Sequence, residues 1–217
     1  MATQTLIQLA LDFSTVDEAL RAAEIGVKAG VDILEAGTPL IVSEGVKAIG
    51  AIARAFPHMK VLADYKTMDS GFKNVLLTQQ QGGHYMTVCA NASDETVQSA
   101  IRQGSESGIQ VVADTIGVKD QTARAKQCFE WGVDMIYIHY SADQRRSNPG
   151  MDSNQWVDAI IASVGCPVGV ATFGVDDAVL ASKKGAALVT IGHPIVGTEL
   201  ASLPELQRFV DAVRSCR

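Results

Sequence analysis

LIQLALDFSTVDEALRAAEIGVKAGVDILEAG, residues 6–37, carries the pattern that decides the fold. An apolar run, LIQLALD, gives way to a segment with helical spacing that stops at Gly30, and a second apolar run, VDILEAG, starts at Val31. Ser14 with Asp17 reads as an N-cap signal, and Gly30 falls where a left-handed C-cap is wanted. The runs are apolar almost throughout rather than alternating, as strands buried on both faces of a helix-wrapped parallel sheet are.

The same rhythm continues outward from this stretch. Further strands are predicted to start near Lys60 (KVLAD), Tyr85 (YMTVCA), Gln110 (QVVADT), Asp134 (DMIYIHY), Pro167 (PVGVAT) and Ala187 (ALVTIG). Gly83, Gly108, Gly132 and Gly185 stand where the intervening helices would stop, and Ser93 with Asp94 and Glu95 opens one of them. Eight βα units over residues 1–217 predict a single α/β domain, a (β/α)8 TIM barrel, with a doubly wound open sheet as the alternative. No linker or low-complexity tract divides the chain. Ser141 to Met151 (SADQRRSNPGM) is a longer polar loop after the sixth strand, either a lid or an ordinary surface loop.

Composition narrows the function classes. Hydrophobic residues make up 47% and charged residues 19% of the 217, which fits a packed domain and excludes a long disordered chain. A net charge of -6, with 18 scattered Lys and Arg, leaves no electrostatic footprint for nucleic acid or an anionic membrane and favours a small-molecule partner. No apolar run is long enough to span a bilayer, and Met1 to Leu6 lacks the basic region of a signal peptide, so a cytoplasmic location is expected. Cys89, Cys128, Cys166 and Cys216 are too far apart for a CxxC site and are expected to be reduced thiols without a role.

In a parallel barrel the chemistry gathers where strands end. Here those ends are polar: Asp12, Glu35, Asp64 with Lys66 and Asp69 just beyond, Asp114 and His139. A lone strand-end carboxylate usually caps a helix or bonds a loop. Several on one rim repel each other unless a metal, a lysine or a substrate neutralises them, so their convergence argues for a site. Asp64-Tyr65-Lys66-Thr67-Met68-Asp69 sets an ammonium between two carboxylates that raise its pKa. That suits a fixed cation or proton donor rather than a Schiff-base amine, the bland alternative being a surface salt bridge. Glu35 and Asp64, on adjacent strands, could share a hard cation, a set that suits Mg2+ and not Zn2+, although Glu35 could equally be a cap or a lone hydrogen-bonding group. His139 is the candidate for proton transfer unless it is a buried structural histidine, and Asp114 would orient it, bind a substrate hydroxyl or cap a helix. Across the mouth, the Gly174 and Gly192 regions could offer backbone N–H groups to a phosphate. His58, His84 and His193 carry less information.

LALD ending at Asp12, LEAGTPLIVSEG (34–45) and VLADYKTMDSG (61–71) together resemble the orotidine-monophosphate decarboxylase suprafamily. Glu35 before Gly-Thr-Pro is similar to its metal-dependent branch, the 3-hexulose-6-phosphate synthases and 3-keto-L-gulonate-6-phosphate decarboxylases. The resemblance runs nearly end to end. It implies Mg2+, with Mn2+ as a substitute, held by Glu35, Asp64 and the vicinal oxygens of a phosphorylated keto sugar, and an enediolate intermediate. Lys66 would neutralise developing charge and His139 would move protons. Asp69 would enter the partner subunit's site in a homodimer, and Asp12, Gly174, Gly192 and His193 would line the substrate.

Asp114 sides with the synthase pattern on strand five, where the decarboxylases resemble one another in carrying Glu. Ala142 stands where those decarboxylases have Arg, with Arg145 and Arg146 too far along to match it. The reading is therefore an Mg2+-dependent aldolase joining ribulose 5-phosphate to formaldehyde. The alternatives are a related sugar-phosphate decarboxylase and a barrel that binds a phosphosugar without turnover. Two departures bear on the phosphate end: Phe173 replaces one glycine of a Gly-Gly pattern, and His193, followed by Pro194, stands where Arg is frequent in the decarboxylases.

Overall fold

The computed structural model describes residues 4–193 and 195–216; Met1, in the segment read for a signal peptide, and Pro194 lie outside them. The order is β1 (Leu6–Leu11), α1 (Val16–Ala29), β2 (Ile33–Ala36), α2 (Thr38–Glu44), α3 (Lys47–Ala55), β3 (Lys60–Thr67), α4 (Gly71–Gln80), β4 (Tyr85–Cys89) and α5 (Asp94–Ser107). It continues with β5 (Gln110–Asp114), α6 (Gln121–Glu130), β6 (Met135–Ile138), α7 (Ala142–Ser147), α8 (Val157–Ser163), β7 (Val168–Ala171), α9 (Val175–Lys183), β8 (Leu188–Ile191) and α10 (Leu203–Arg214).

Every neighbouring pair of strands is parallel, and β1 pairs with both β2 and β8, so the sheet closes into an eight-stranded barrel. Closure excludes the open doubly wound sheet. Alternation along each strand sorts the side chains into two cores. Ile33, Leu62, Val112, Met135, Tyr137, Ala171 and Leu188 fill the barrel, while the outward residues, such as Leu9, Leu34, Val61, Val111 and Ile136, pack under the helices. This is why the strand runs are apolar throughout. The α1 helix lies so close to β1 that a Cβ at Gly26 would overlap the Leu9 side chain, which accounts for a glycine in mid-helix.

The local signals hold with several corrections. Gly30 and Gly108 are left-handed C-caps, and Ser93 caps α5. The α1 cap is Thr15, whose hydroxyl accepts from the Glu18 N–H, and not Ser14. After α4 the left-handed residue is Gly82 (φ 77°), one before the expected Gly83. β2 starts at Ile33, two residues after Val31, and just before it the Asp32 side chain accepts the Ile7 N–H at 2.7 Å. The 141–151 loop is partly helical: a reciprocal Ser141–Gln144 capping box opens α7. Among the described residues, no helix is long and apolar enough to cross a membrane, and all four cysteines are free.

Candidate active site

β3 is the irregular strand. Ala63 pairs with Met86 and Thr67 with Val88, so three residues of β3, Asp64 to Lys66, face the single residue Thr87 of β4. Lys66 therefore belongs to the strand rather than lying beyond it, and its backbone takes a left-handed conformation (φ 48°) that non-glycine residues rarely adopt. Thr87 holds this bulge from across the ladder. Its hydroxyl accepts the Lys66 N–H at 3.0 Å and donates to Asp64 Oδ1 at 2.8 Å. Thr38, the first residue of α2, donates to Asp64 Oδ2 at 2.9 Å and accepts from Lys66 Nζ at 2.9 Å. Lys66 and Asp64 also form a direct ion pair.

The electrostatics follow from this packing. Burial alone would raise the Asp64 carboxyl, but the Lys66 ammonium and the hydrogen bonds from Lys66 and Thr87 outweigh it and hold the group below the usual range. Burial would lower the Lys66 ammonium, yet Asp64, Glu35 and Asp114 push it up, so it stays charged. The expected direction is correct and one partner is not. The second carboxylate is Glu35, whereas Asp69 is exposed and accepts its neighbour Ser70's N–H at 2.6 Å. Asp69 therefore does not join the cluster formed by its own chain.

Glu35 projects from β2 into the barrel and accepts from Gln8 Nε2 at 2.5 Å. Burial, then Asp64 and Asp12, raise its carboxyl well above the ordinary value, with Lys66 and Gln8 opposing. Gln8 Oε1 is buried with no hydrogen-bond partner, and a void of about 10 Å³ lies among Gln8, Glu35, Asp64 and Thr87. Asp12 follows β1 at the open mouth, where the residue is exposed; partial desolvation of its carboxyl by its neighbours and the nearby Asp64 raise it, against Lys66 and His139. Asp12 is wedged against Gly37 and Gly192, and a Cβ on Gly37 would overlap its carboxylate, so the glycine of the 34–45 motif makes room for Asp12.

His139 follows β6, and its Nδ1 lies 2.9 Å from Asp114 Oδ2. Of the three roles open to Asp114, the structure shows the contact that would orient His139 and excludes the helix cap. The carboxylate's other oxygen accepts the Ile116 N–H at 2.8 Å, and the cap of α6 is Asp120. An Asp-held Nδ1–H leaves Nε2 as the exchangeable nitrogen. Burial, Asp114 and Asp64 push the Cys89 thiol up to about 12, which keeps it an inert thiol. His84 accepts the Val61 N–H through Nδ1 and serves the fold.

On the far wall, Gly174 opens α9 without a side-chain cap and has open space around it. His193 is exposed, and Gly192 lies 3.7 Å (from an ideal Cβ) from Asp12 Oδ2. The Phe173 ring packs 4.9 Å from the Arg145 guanidinium. Sequence reasoning missed Gln8, Thr38 and Thr87. Thr87 had a signal in the inward alternation of Tyr85, Thr87 and Cys89, and Thr38 in its place directly after Gly37.

A barrel that gathers an aspartate-held histidine, a charged lysine and a surplus of carboxylates toward the C-terminal ends of its strands has the arrangement of a (β/α)8-barrel enzyme. Similarity to known proteins narrows that class. A profile of the Orotidine 5'-phosphate decarboxylase / HUMPS family matches residues 5–200, and the chain belongs to this family. It is 36% identical over 137 residues to a 3-hexulose-6-phosphate synthase of Bacillus subtilis, spanning 63% of this chain and 65% of that protein. With the synthase of Mycobacterium gastri it shares 33% over 196 residues, 88% of this chain and 91% of that one. The crystal structure of 3-hexulose-6-phosphate synthase from Salmonella typhimurium superposes with a TM-score of 0.86 at 32% identity, covering 95% and 98% of the two chains.

Proposed function

We propose that the protein is an aldehyde-lyase that joins ribulose 5-phosphate to formaldehyde, as a 3-hexulose-6-phosphate synthase does. The observation that carries this is the Asp114–His139 pair above the Lys66–Asp64–Glu35 cluster: a base with a fixed tautomer beside a fixed cation. His139 Nε2 takes the proton from the carbon next to the ketone, and Lys66 offsets the negative charge that develops. The carbanion carbon bonds to the carbon of formaldehyde, and the histidinium returns the proton to the new alkoxide. Asp114 rather than Glu, and Ala142 rather than Arg, favour the aldolase over a decarboxylase.

The residues present fit a divalent cation. Glu35 and Asp64 supply hard oxygens, Gln8 Oε1 beside Glu35 is buried without a partner, and Glu35, Asp64 and Asp12 repel one another. Among the described residues no group of three or more His, Cys, Asp or Glu side chains is placed to hold a metal ion, so the proposed set is the two carboxylates, with water and substrate oxygens completing the shell. Bound there, it would stabilise oxyanion charge. Asp69 turns from its own cluster and lies beside exposed Met68 (53%) and Phe72 (41%), which supports a homodimer in which each Asp69 completes the other subunit's site.

Formaldehyde consumption with ribulose 5-phosphate and Mg2+ should be robust, should stop with excess EDTA and should return with Mg2+ or Mn2+. Carbon dioxide release from a 3-keto sugar acid phosphate would make the protein a decarboxylase, and binding without turnover of either substrate would make it a binder. Full activity in EDTA would remove the metal.

A further inference from the structure

Resting on the sugar-phosphate reading above, we propose that Arg145 is the phosphate anchor of this chain, a guanidinium delivered to the β7–α9 loop by the face of Phe173. The mouth is rich in carboxylates: Asp12, Glu35, Asp64, Asp114 and, in the first turn of α9, Asp177. Lys66 is committed to Asp64 and Thr38 on the β3 side. A phosphate monoester dianion at the β7 side therefore needs a cation of its own.

Arg145 meets that need in three respects. The capping box of α7 fixes the helix that carries it. The Phe173 ring, 4.9 Å from the guanidinium carbon, holds the cation by its face and leaves its N–H edges uncovered. Those edges are underused: among the described residues the Arg145 side chain makes a single hydrogen bond, to the Met151 carbonyl at 2.5 Å, whereas the Arg124 side chain makes four. Its nearest carboxylate, Asp177, is 3.9 Å away and already accepts the Phe173 N–H at 3.2 Å, so the ion pair is loose and open to exchange. Gly174, next to Phe173, has open space where a Cβ would stand, so there is room for a dianion beside the guanidinium. Phe173 in place of glycine is then the ring that carries the cation, rather than an obstruction.

The test is kinetic and calorimetric on the full chain. Arg145→Ala and Arg145→Gln should raise both the KM for ribulose 5-phosphate and the competitive inhibition constant of inorganic phosphate by about 10- to 100-fold, with kcat within about threefold. Arg145→Lys should recover part of the loss, and Arg146→Ala, one residue on and paired with Asp143 at the surface, should change neither constant. If wild-type protein binds ribulose 5-phosphate in an Arg145-dependent way yet consumes no formaldehyde, the anchor stands and the aldolase reading fails. Constants within twofold of wild type in both folded variants overturn the anchor. So do a loss confined to kcat and a wild type that binds neither ribulose 5-phosphate nor inorganic phosphate.

Discussion

Glu35 shows at the scale of one residue how function opposes stability. Burial, with Asp64 and Asp12 adding to it, raises its carboxyl, so the folded metal-free protein holds that proton more tightly than the unfolded chain. The stability this contributes is complete below the ordinary carboxylate pKa and is lost as pH rises through the folded value. Asp64 works the other way: its lowered value gives stability above the ordinary range that is lost as pH falls through the folded one. Glu35→Gln should therefore stabilise the metal-free protein at pH 7 by about 1–2 kcal/mol, because it removes a carboxyl whose ionised form is disfavoured by burial and lets the new amide donate to the orphaned Gln8 Oε1. A thermal midpoint higher by roughly 2–8 °C, a flatter pH dependence and no turnover are expected by calorimetry and assay. A lower midpoint would show that Glu35 is held by partners worth more than its desolvation costs.

Among the elements, β3 carries the chemistry and β4 aligns it. Thr87→Val keeps the volume and removes both the donor to Asp64 Oδ1 and the acceptor for the Lys66 N–H. It should lower kcat by about 10- to 100-fold and stability by about 1–3 kcal/mol, read from steady-state kinetics and urea unfolding. Wild-type kcat in a folded variant would show that the bulge keeps its shape without Thr87. This element also marks how far sequence reading reached. Leu6–Leu11 and Tyr85–Cys89 were legible as strands because two-sided burial writes an apolar run. The strand-end positions of Asp12, Glu35, Asp114 and His139 followed from those runs, whereas Asp64 lies three residues before the end of β3. The left-handed Lys66 was not legible, since a bulge depends on the partner strand and leaves no local composition. The same holds for Thr38 and Gln8, whose roles arise from contacts across strands, and for Asp69, which stands near Lys66 in sequence while its carboxylate turns elsewhere.

For the whole molecule, the question is whether one chain suffices. If Asp69 serves the other subunit, Lys66→Ala and Asp69→Ala proteins, each inactive alone, should complement when their subunits exchange. A mixed dimer holds one site with both lesions and one with none. Random pairing makes half the dimers mixed, so roughly a quarter of wild-type activity should return. Exchange seen by native mass spectrometry with no recovery would place the whole site within one chain. The bulge opposite Thr87 has a further consequence for the barrel as a whole. Between the rungs Ala63–Met86 and Thr67–Val88, β3 uses two residues more than its neighbour, and that surplus admits Asp64 and Lys66 together. Closure of the barrel does not depend on the surplus, because the rungs on either side pair regularly. Reactivity here is a detachable insertion: a lineage that trimmed those two residues would inherit an intact vessel with nothing left to catalyse.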